Sequence, residues 1–287
     1  MRHRNVCIVT LLAGSVIFFS LLTLTQEQED QIKLNRILNR AEDYCNKLGK
    51  AAFDFVCKEK ITEKIDVTPE WTPDDRVLKI VKDLPGAWGP SKKIKKNTFV
   101  YDYQLIKKGR DIEEKRILLR ENGKKRHKKN ARLKTKMFHF AKPLFGPTGL
   151  LSSYWQNRLS YRMLGREKWK GEETFLIEVF PKPSLEQKHL FGRIWIKEDD
   201  FSIVKIEWIP ESMKNYEEIE KTAKKYKAKP RITCVTEFNI EKQGIRFPSK
   251  VFIQEAYLSK KGRYVKSETT IEYTDYQFFT VKTEIKY

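Results

Sequence analysis

Histidine and cysteine are scarce in this chain of 287 residues, with four of each. None of them occurs in pairs at the spacing that metal sites require. The GxSxG and HExxH patterns of common hydrolases and metallopeptidases are also missing. These absences argue against a metal site and against a catalytic centre, so we expect a protein with no enzyme activity, no metal and no cofactor.

Acidic residues are fewer than basic residues. The sequence holds 38 Asp and Glu against 58 Lys and Arg, which gives a net charge of +20. Such a balance favours anionic partners, namely nucleic acid, acidic lipid headgroups or polyanionic glycans. The choice among these partners depends on the compartment in which the protein works.

The N-terminus indicates export. Arg2 and Arg4 precede an uncharged, mostly apolar segment at 6–24, a pattern typical of a secretory signal. The segment is long for a signal and lies at the short end of a membrane span. We favour a cleaved signal peptide over residues 1–25, with a retained membrane anchor as the alternative. Either outcome places a single domain, 26–287, in the periplasm, where we expect no nucleic-acid partner.

Three cysteines remain beyond the N-terminal segment, at Cys45, Cys57 and Cys234. In an oxidising compartment Cys45 and Cys57 could form a disulfide that ties a helix to the following strand. The alternative is three buried free thiols, and the sequence does not choose between the two.

The segment 191–210 has the clearest strand pattern. Two runs in which apolar and polar residues alternate flank a polar turn at 197–202, which predicts an antiparallel hairpin. With a side-chain period of two, one face holds Ile194, Ile196, Val204, Ile206 and Trp208. The opposite face is charged, so we expect this hairpin to belong to a sheet that covers an apolar layer on one side only.

Similar patterns along the chain predict about eleven strands and two or three helices. Helices are predicted at 28–50 and 212–226, and the last strand at 277–286. The interruptions are a Pro-rich excursion at 66–97, a basic loop at 121–136 and an apolar flap at 138–151. A sheet this wide must twist and curl. The predicted fold is therefore α+β, an open half-barrel with the helices on its concave face.

Four short segments stand out in this strand pattern. They are Leu-Gly-Arg-Glu-Lys-Trp-Lys-Gly-Glu-Glu-Thr-Phe-Leu-Ile-Glu-Val at 164–179, Gly-Arg-Ile-Trp-Ile-Lys at 192–197, Phe-Ser-Ile-Val-Lys-Ile-Glu at 201–207 and Glu-Lys-Gln-Gly-Ile-Arg-Phe-Pro-Ser at 241–249. Together they resemble the outer-membrane lipoprotein-sorting group, the LolA/LolB/RseB-like family, over roughly residues 50–287. In this family an aspartate directly follows the apolar-Trp-apolar run of the first strand. Here Lys197 takes that position, and the acidic residues Glu198 and Asp199 come after it. The resemblance implies an unclosed barrel over helices, with an apolar cavity that holds acyl chains or a lipidated peptide.

Two candidate sites follow. The first is an apolar cavity lined by Phe175, Ile177, Ile194, Ile196, Val204, Ile206, Trp208, Phe238 and Phe279; the alternative is an ordinary filled core under the helices. The second is a contact surface for anionic headgroups formed by Lys124, Lys125, Arg126, Lys128 and Lys129; the alternative is a solubilising loop.

The expected function is that of an exported envelope protein that binds a lipid or an acylated protein, as a lipid or lipoprotein carrier, with an anionic membrane surface as a further partner. The alternative is a structural or sensory envelope module that binds a protein.

Overall fold

The computed structural model describes residues 4–53, 55–68, 93–108, 111–137, 142–185, 189–214, 216–225, 227–260 and 262–279. Eleven strands in these ranges form one antiparallel sheet that does not close, and two further strands pair separately. The α+β class and the wide open sheet that the sequence predicts are therefore confirmed.

The strands are β1 (Phe55–Asp66), β2 (Ile94–Lys108), β3 (Asp111–Glu121), β4 (Lys124–Lys128), β5 (Leu159–Trp169), β6 (Glu172–Pro181), β7 (Gly192–Lys197), β8 (Ile203–Trp208), β9 (Lys229–Glu237), β10 (Ile240–Lys242), β11 (Ile245–Phe247), β12 (Lys250–Ser259) and β13 (Gly262–Phe278). The helices are α1 (Arg4–Ala51), α2 (Gly146–Leu151), α3 (Ser153–Gln156) and α4 (Tyr216–Lys225), with 3-10 turns at Pro143–Phe145 and Pro210–Ser212. The order in the large sheet is β4-β3-β2-β1-β13-β12-β9-β8-β7-β6-β5, and β10 pairs with β11.

The predicted helix at 28–50 is part of a longer one. Helix α1 begins at Arg4 and ends at Ala51, so the apolar segment 6–24 and the amphipathic segment form one continuous helix. Among the residues whose side chains the structure describes, which begin at Gln28, no helix is long and apolar enough to span a membrane.

The second part of α1 lies on one face of the sheet. Its buried residues recur every three or four positions, as expected for the apolar side of an amphipathic helix; they are Leu34, Ile37, Leu38, Ala41, Tyr44, Cys45 and Leu48. All of them belong to one core cluster with apolar side chains from the sheet. The sheet therefore buries one face under α1, as its one-sided pattern predicts.

Helix α4 covers a separate part of the protein. Its Ile219 and Ala223 pack against Ile232 of β9 and Tyr257 of β12, in a smaller cluster than the one under α1. The sequence prediction of one helix over 212–226 is replaced by a 3-10 turn and a shorter helix. Ile232 lies two residues before Cys234 of the main core cluster on β9, so α4 packs on the same face of the sheet as α1, as predicted, but over a separate cluster.

Three other predicted elements differ in the structure. The basic segment 121–136 is not a loop throughout, because residues 124–128 form the edge strand β4, paired with β3. The flap at 138–151 contains a 3-10 turn and α2, both with buried leucines. Proline at the first positions of these short helices fits their sequence, since the missing N–H has no partner there anyway. Residues 138–141 of the flap and 69–92 of the Pro-rich excursion lie outside the described residues.

The predicted last strand, 277–286, is also different. Strand β13 continues without a break to Phe278, and its pairing with β1 shifts near Asp275, which has a positive φ of 54°. Such a bulge changes which side chains face the interior. Residues 280–286 lie outside the described part of the chain.

The three cysteines are free and buried. The disulfide between Cys45 and Cys57 is therefore not formed, and the alternative of free thiols is the one observed. Each thiol lies among apolar side chains of the core cluster, and burial raises the pKa of all three. These thiols are protonated and poorly nucleophilic at neutral pH.

Candidate functional site

The hairpin β7–β8 forms the centre of the covered apolar face. Ile194 lies opposite Ile206, and Ile196 lies opposite Ile203, because the pairing shifts by one residue between Trp195 and Ile196. Strand β6 extends both rows, with Ile177 beside Ile194 and Phe175 beside Ile196. Two rows of apolar side chains therefore cross three adjacent strands.

The shift in pairing between β7 and β8 is a bulge, and it changes the predicted face of Val204. Ile203, rather than Val204, is the residue opposite Ile196. Val204 is fully buried but does not belong to the cluster that α1 covers. A one-residue shift in a strand moves side chains between its faces, and strict alternation along the sequence cannot reveal it.

Most of the predicted lining residues lie in this interior. Phe175, Ile177, Ile194, Ile196, Ile206, Trp208 and Phe238 are buried in the core cluster, whereas Val204 is buried outside it. Phe279 is the exception and its placement is a correction: it follows the end of β13 and is 55% exposed, whereas its neighbour Phe278 packs on the core. The prediction rested on the alternation of Phe279, Val281 and Ile285 within 277–286, whereas the shift in register near Asp275 turns Phe278 toward the core instead.

Two pieces of chain lie over this face. One is the buried part of α1, residues 34–48, and the other is the segment 143–156 with its short helices; we refer to them together as the helical cover. The contact is close, since a Cβ atom added to Gly146 in α2 would lie 3.0 Å from Cζ2 of Trp208 and 3.3 Å from Cδ1 of Ile206. The side chains of the cover and of the sheet therefore pack directly against each other.

Within the part of the chain that the structure describes, few hydrogen bonds join α1 to the strands below it. Tyr44 of α1 accepts a bond from the backbone N–H of Arg246 (2.8 Å), and its hydroxyl lies 3.3 Å from the carbonyl oxygen of the same residue. Gln156 donates to the carbonyls of Leu38 and Leu151, which joins α1 to the second piece of the cover. The remaining contacts of the cover are mainly apolar.

His189 also ties the segment 143–156 in place. Its Nε2 lies 2.6 Å from the carbonyl oxygen of Gly149. Its ring stacks on Trp155 with centroids 3.6 Å apart. Burial lowers the pKa of His189 below its ordinary value, so the ring is mainly neutral at neutral pH and donates this bond from Nε2.

A buried ionic network lies on the same side of the sheet. Arg116 of β3 donates to both carboxylate oxygens of Glu59 on β1, at 2.6 and 3.0 Å, and also to Glu114. Tyr273 donates to Glu59 and Tyr103 donates to Glu114. Burial opposes the charge on Arg116, but the bonds and charge of Glu59 outweigh it and raise the pKa of Arg116 above its usual range.

This network holds one end of the cover. Glu114 accepts a bond of 2.6 Å from the backbone N–H of Lys142, directly before the segment 143–156. Lys142 has a positive φ of 51°, a conformation that is unusual for a residue with a side chain. The chain therefore turns into the cover at a point fixed by Arg116 and Glu114.

The sequence reasoning missed these buried acids. Glu59 and Glu63 both have no exposed surface, and they alternate with the core residues Cys57 and Ile61 along β1. The sequence did contain a signal, namely two carboxylates at the positions of β1 that face the core. Since buried charges require partners, this pattern predicts a buried ionic network.

The predicted anionic-headgroup residues lie at the edge of the sheet. Lys124, Lys125, Arg126, Lys128 and Lys129 are all exposed. Four of them belong to β4, in which both faces are exposed to solvent. The structure thus concentrates positive charge along one open edge, on a strand rather than a loop. Among the described residues, no three metal-ligating side chains converge.

No family model and no curated protein sequence matches this chain. Similar solved structures include a DUF1329 family protein from Desulfovibrio piger, with 11% identity and a TM-score of 0.40. They also include an outer membrane lipoprotein-sorting protein domain from Vibrio parahaemolyticus (12%, 0.36) and a LolA superfamily protein from Nitrosomonas europaea (11%, 0.33). Each covers 86% of this chain, and the chain covers 95%, 94% and 94% of them.

The neighbours thus include members of the group that the four sequence segments resemble.

Proposed function

We propose that this chain is an exported envelope protein that binds an acyl chain, from a lipid or an acylated protein, between its sheet and its helical cover. The supporting observation is the construction of the interior. A broad apolar sheet face, including Ile194, Ile206 and Trp208, is covered by helices that contact it mainly through apolar side chains.

Opening the cover would exchange one apolar contact for another. An acyl chain that enters between Trp208 and Gly146 replaces the contacts that these residues make with each other. Each buried CH2 group contributes about 0.8 kcal/mol, so a twelve-carbon chain contributes roughly 10 kcal/mol, which offsets the apolar burial that the sheet and the cover lose when they separate. The few hydrogen bonds at Tyr44 and Gln156 oppose this displacement by about 1 kcal/mol each.

Polar bonds hold some parts of the cover in place and leave other parts with apolar contacts. The segment 143–156 begins at Lys142, which is bonded to the network around Arg116. The next polar bonds lie near its middle, where Nε2 of His189 bonds to the carbonyl of Gly149 and the hydroxyl of Tyr161 donates to the carbonyl of Leu150 at 2.5 Å. We expect residues 143–148, between these bonded points, to move outward.

The basic edge strand β4 supplies the second element of the proposal. Its exposed lysines and arginine would face an anionic membrane surface, where each contributes about 1 kcal/mol. The protein would collect or deliver its acyl ligand at that surface. Within this proposal the protein performs no chemistry on the ligand, in keeping with the sequence expectation of a binding protein.

A second candidate function is a structural or sensory envelope module that binds a protein partner. The observation that favours it is the filled interior: the apolar residues of β6, β7 and β8 already contact one another and the cover. In that case the buried face is an ordinary core, and recognition takes place on the outside of the sheet or at its edges.

Native mass spectrometry of the chain purified without detergent separates the two candidates. A carrier should retain bound lipid, seen as one or more added masses that disappear on delipidation and return when lipid is supplied. A protein-binding module should appear only at the mass of the bare chain, before and after exposure to lipid. The second result would reject acyl binding.

A further inference from the structure

A polar cleft of about 520 Å³ opens beside the end of β2 and β3. Its basic residues are Lys95, Lys134 and Lys136, and its single acidic one is Glu121. It lies at the end of the sheet where the basic strand β4 begins, and residues 133–136 form one wall.

The charges in the cleft are only partly neutralised. Lys134 binds both carboxylate oxygens of Glu121 at 2.8 Å. Lys95 and Lys136 are exposed and form no ion pair within the part of the chain that the structure describes. Two ammonium groups are therefore available to an anion, and the carboxylate that would repel it is already paired.

Thr135 also lines the cleft. It is only 8% exposed, and its Oγ1 has no hydrogen-bond partner among the residues that the structure describes. Buried polar atoms are nearly always hydrogen-bonded in folded proteins, so an unpaired hydroxyl in a cleft indicates a ligand that would complete it. This observation is independent of the lysine charges.

The wall that holds these groups is fixed from beneath. Oε1 of Glu63, on β1, accepts bonds from the backbone N–H groups of Lys136 and Met137, at 2.8 and 3.1 Å. Its Oε2 accepts a bond from the amide of Asn97 at 3.1 Å. A fixed wall reduces the ordering cost of binding, and the oxygens of Glu63 are occupied by these donors.

We propose that this cleft binds a phosphoryl group, held by Lys95 and Lys136 as point charges and by the hydroxyl of Thr135. Lysine ammonium groups bind phosphate well, and a hydroxyl can donate to a phosphate oxygen. The phosphate would add two to three charge-assisted bonds at a position where the described part of the chain leaves these donors free.

One side of the cleft is apolar and borders the core cluster. Phe99 lines the cleft and belongs to the core cluster, and Leu133 lines it and packs on the same cluster. A ligand that carries both a phosphate and an acyl chain could therefore fill the cleft and the covered face together. The inference of a ligand with both groups rests on the proposed acyl-binding function, whereas the inference of phosphate binding in the cleft does not.

Titration calorimetry with three probes tests the site on the full chain. The probes are inorganic phosphate, dodecyl phosphate and the neutral dodecyl maltoside. The test variants are a triple replacement, Lys95→Gln, Lys134→Gln and Lys136→Gln, and the single Thr135→Val. The matched control removes the same charge from exposed lysines elsewhere: Lys47→Gln, Lys224→Gln and Lys242→Gln.

We expect inorganic phosphate to bind the native chain and the control equally, the triple variant at least tenfold more weakly, and Thr135→Val several-fold more weakly. Tighter binding of dodecyl phosphate than of phosphate would identify a phospholipid-like ligand, and equal binding a soluble phosphate ester. Binding of phosphate with no binding of either dodecyl probe would support the cleft and reject the acyl function. Absence of phosphate binding, or equal binding by the triple variant and the control, would overturn the cleft proposal, and binding of dodecyl maltoside would still support the acyl function.

Discussion

Arg116 and Glu59 form a two-point ion pair in the interior of the protein, with Nε–Oε2 and Nη2–Oε1 distances of 2.6 and 3.0 Å. The two residues lie on β3 and β1, with β2 between them in the sheet. The pair thus spans three strands on the covered side and connects, through Glu114, to the start of the cover.

The first prediction concerns the stability of this pair. Arg116→Met leaves the charge of Glu59 buried without a partner, which costs about 3–5 kcal/mol of unfolding free energy. Lys60→Met, on the strand that carries Glu59, removes an exposed pair with Glu272 and should cost less than about 1 kcal/mol. Urea unfolding measures both. Equal losses in the two variants would show that the interior pair has no special role.

The second prediction tests the contact between the cover and the sheet. An added methyl group at Gly146 meets the ring of Trp208 at 3.0 Å, whereas at Gly149 the nearest atom is 3.8 Å away in His189. Relative to Gly149→Ala, we expect Gly146→Ala to be less stable by about 1 kcal/mol. It should also bind a fluorescent fatty-acid probe faster, because its cover is loosened. Indistinguishable probe kinetics in the two variants would contradict a movable cover at this position.

The third prediction concerns pH. Burial lowers the pKa of His189 in the folded chain below the unfolded value of about 6.5. As the pH falls below that value, the unfolded chain binds more protons than the folded one, so the stability from His189 is full at higher pH and is lost on acidification. Unfolding free energy should therefore fall less from pH 7.5 to 5.5 in His189→Gln than in the native chain. The same decrease in both would mean that His189 titrates normally.

The fourth prediction concerns the edge strand β4. Replacing its basic residues and Lys129 by glutamine should weaken binding to vesicles with anionic lipid by about 100-fold or more, since each contributes about 1 kcal/mol near such a surface. Substitution is preferable to deletion, because these residues pair with β3. The control replaces five exposed lysines elsewhere, namely Lys47, Lys50, Lys224, Lys229 and Lys242. Vesicle co-sedimentation that falls equally in the control would reject a localised membrane-facing edge.

The hairpin β7–β8 and the one-sided sheet were predictable because their sequence information is local. A period of two in apolar residues, with a polar turn at 197–202, is enough to define both strands and most of the face they bury, with Val204 as the residue it assigns wrongly. Helix α1 was equally readable between Leu34 and Leu48, where apolar residues recur at helical spacing.

The elements that could not be predicted depend on pairing between distant residues. Strand β4 has no apolar residue, and only its hydrogen bonds to β3 make it a strand. The bulges at Ile203 and Asp275 change side-chain faces without a local signal. The partnership of Glu59 with Arg116 joins residues 57 positions apart, so only the folded sheet brings them together.

Photoaffinity labelling with a fatty acid that carries a diazirine near its terminal carbon tests the acyl-binding proposal most directly. We predict ultraviolet-dependent labels on peptides from β7–β8, residues 192–208, and from the cover at 146–151, with loss of the labels when unlabelled fatty acid is added in excess. Labels confined to exposed segments, or labels that excess fatty acid does not reduce, would contradict an acyl chain held between the sheet and its cover.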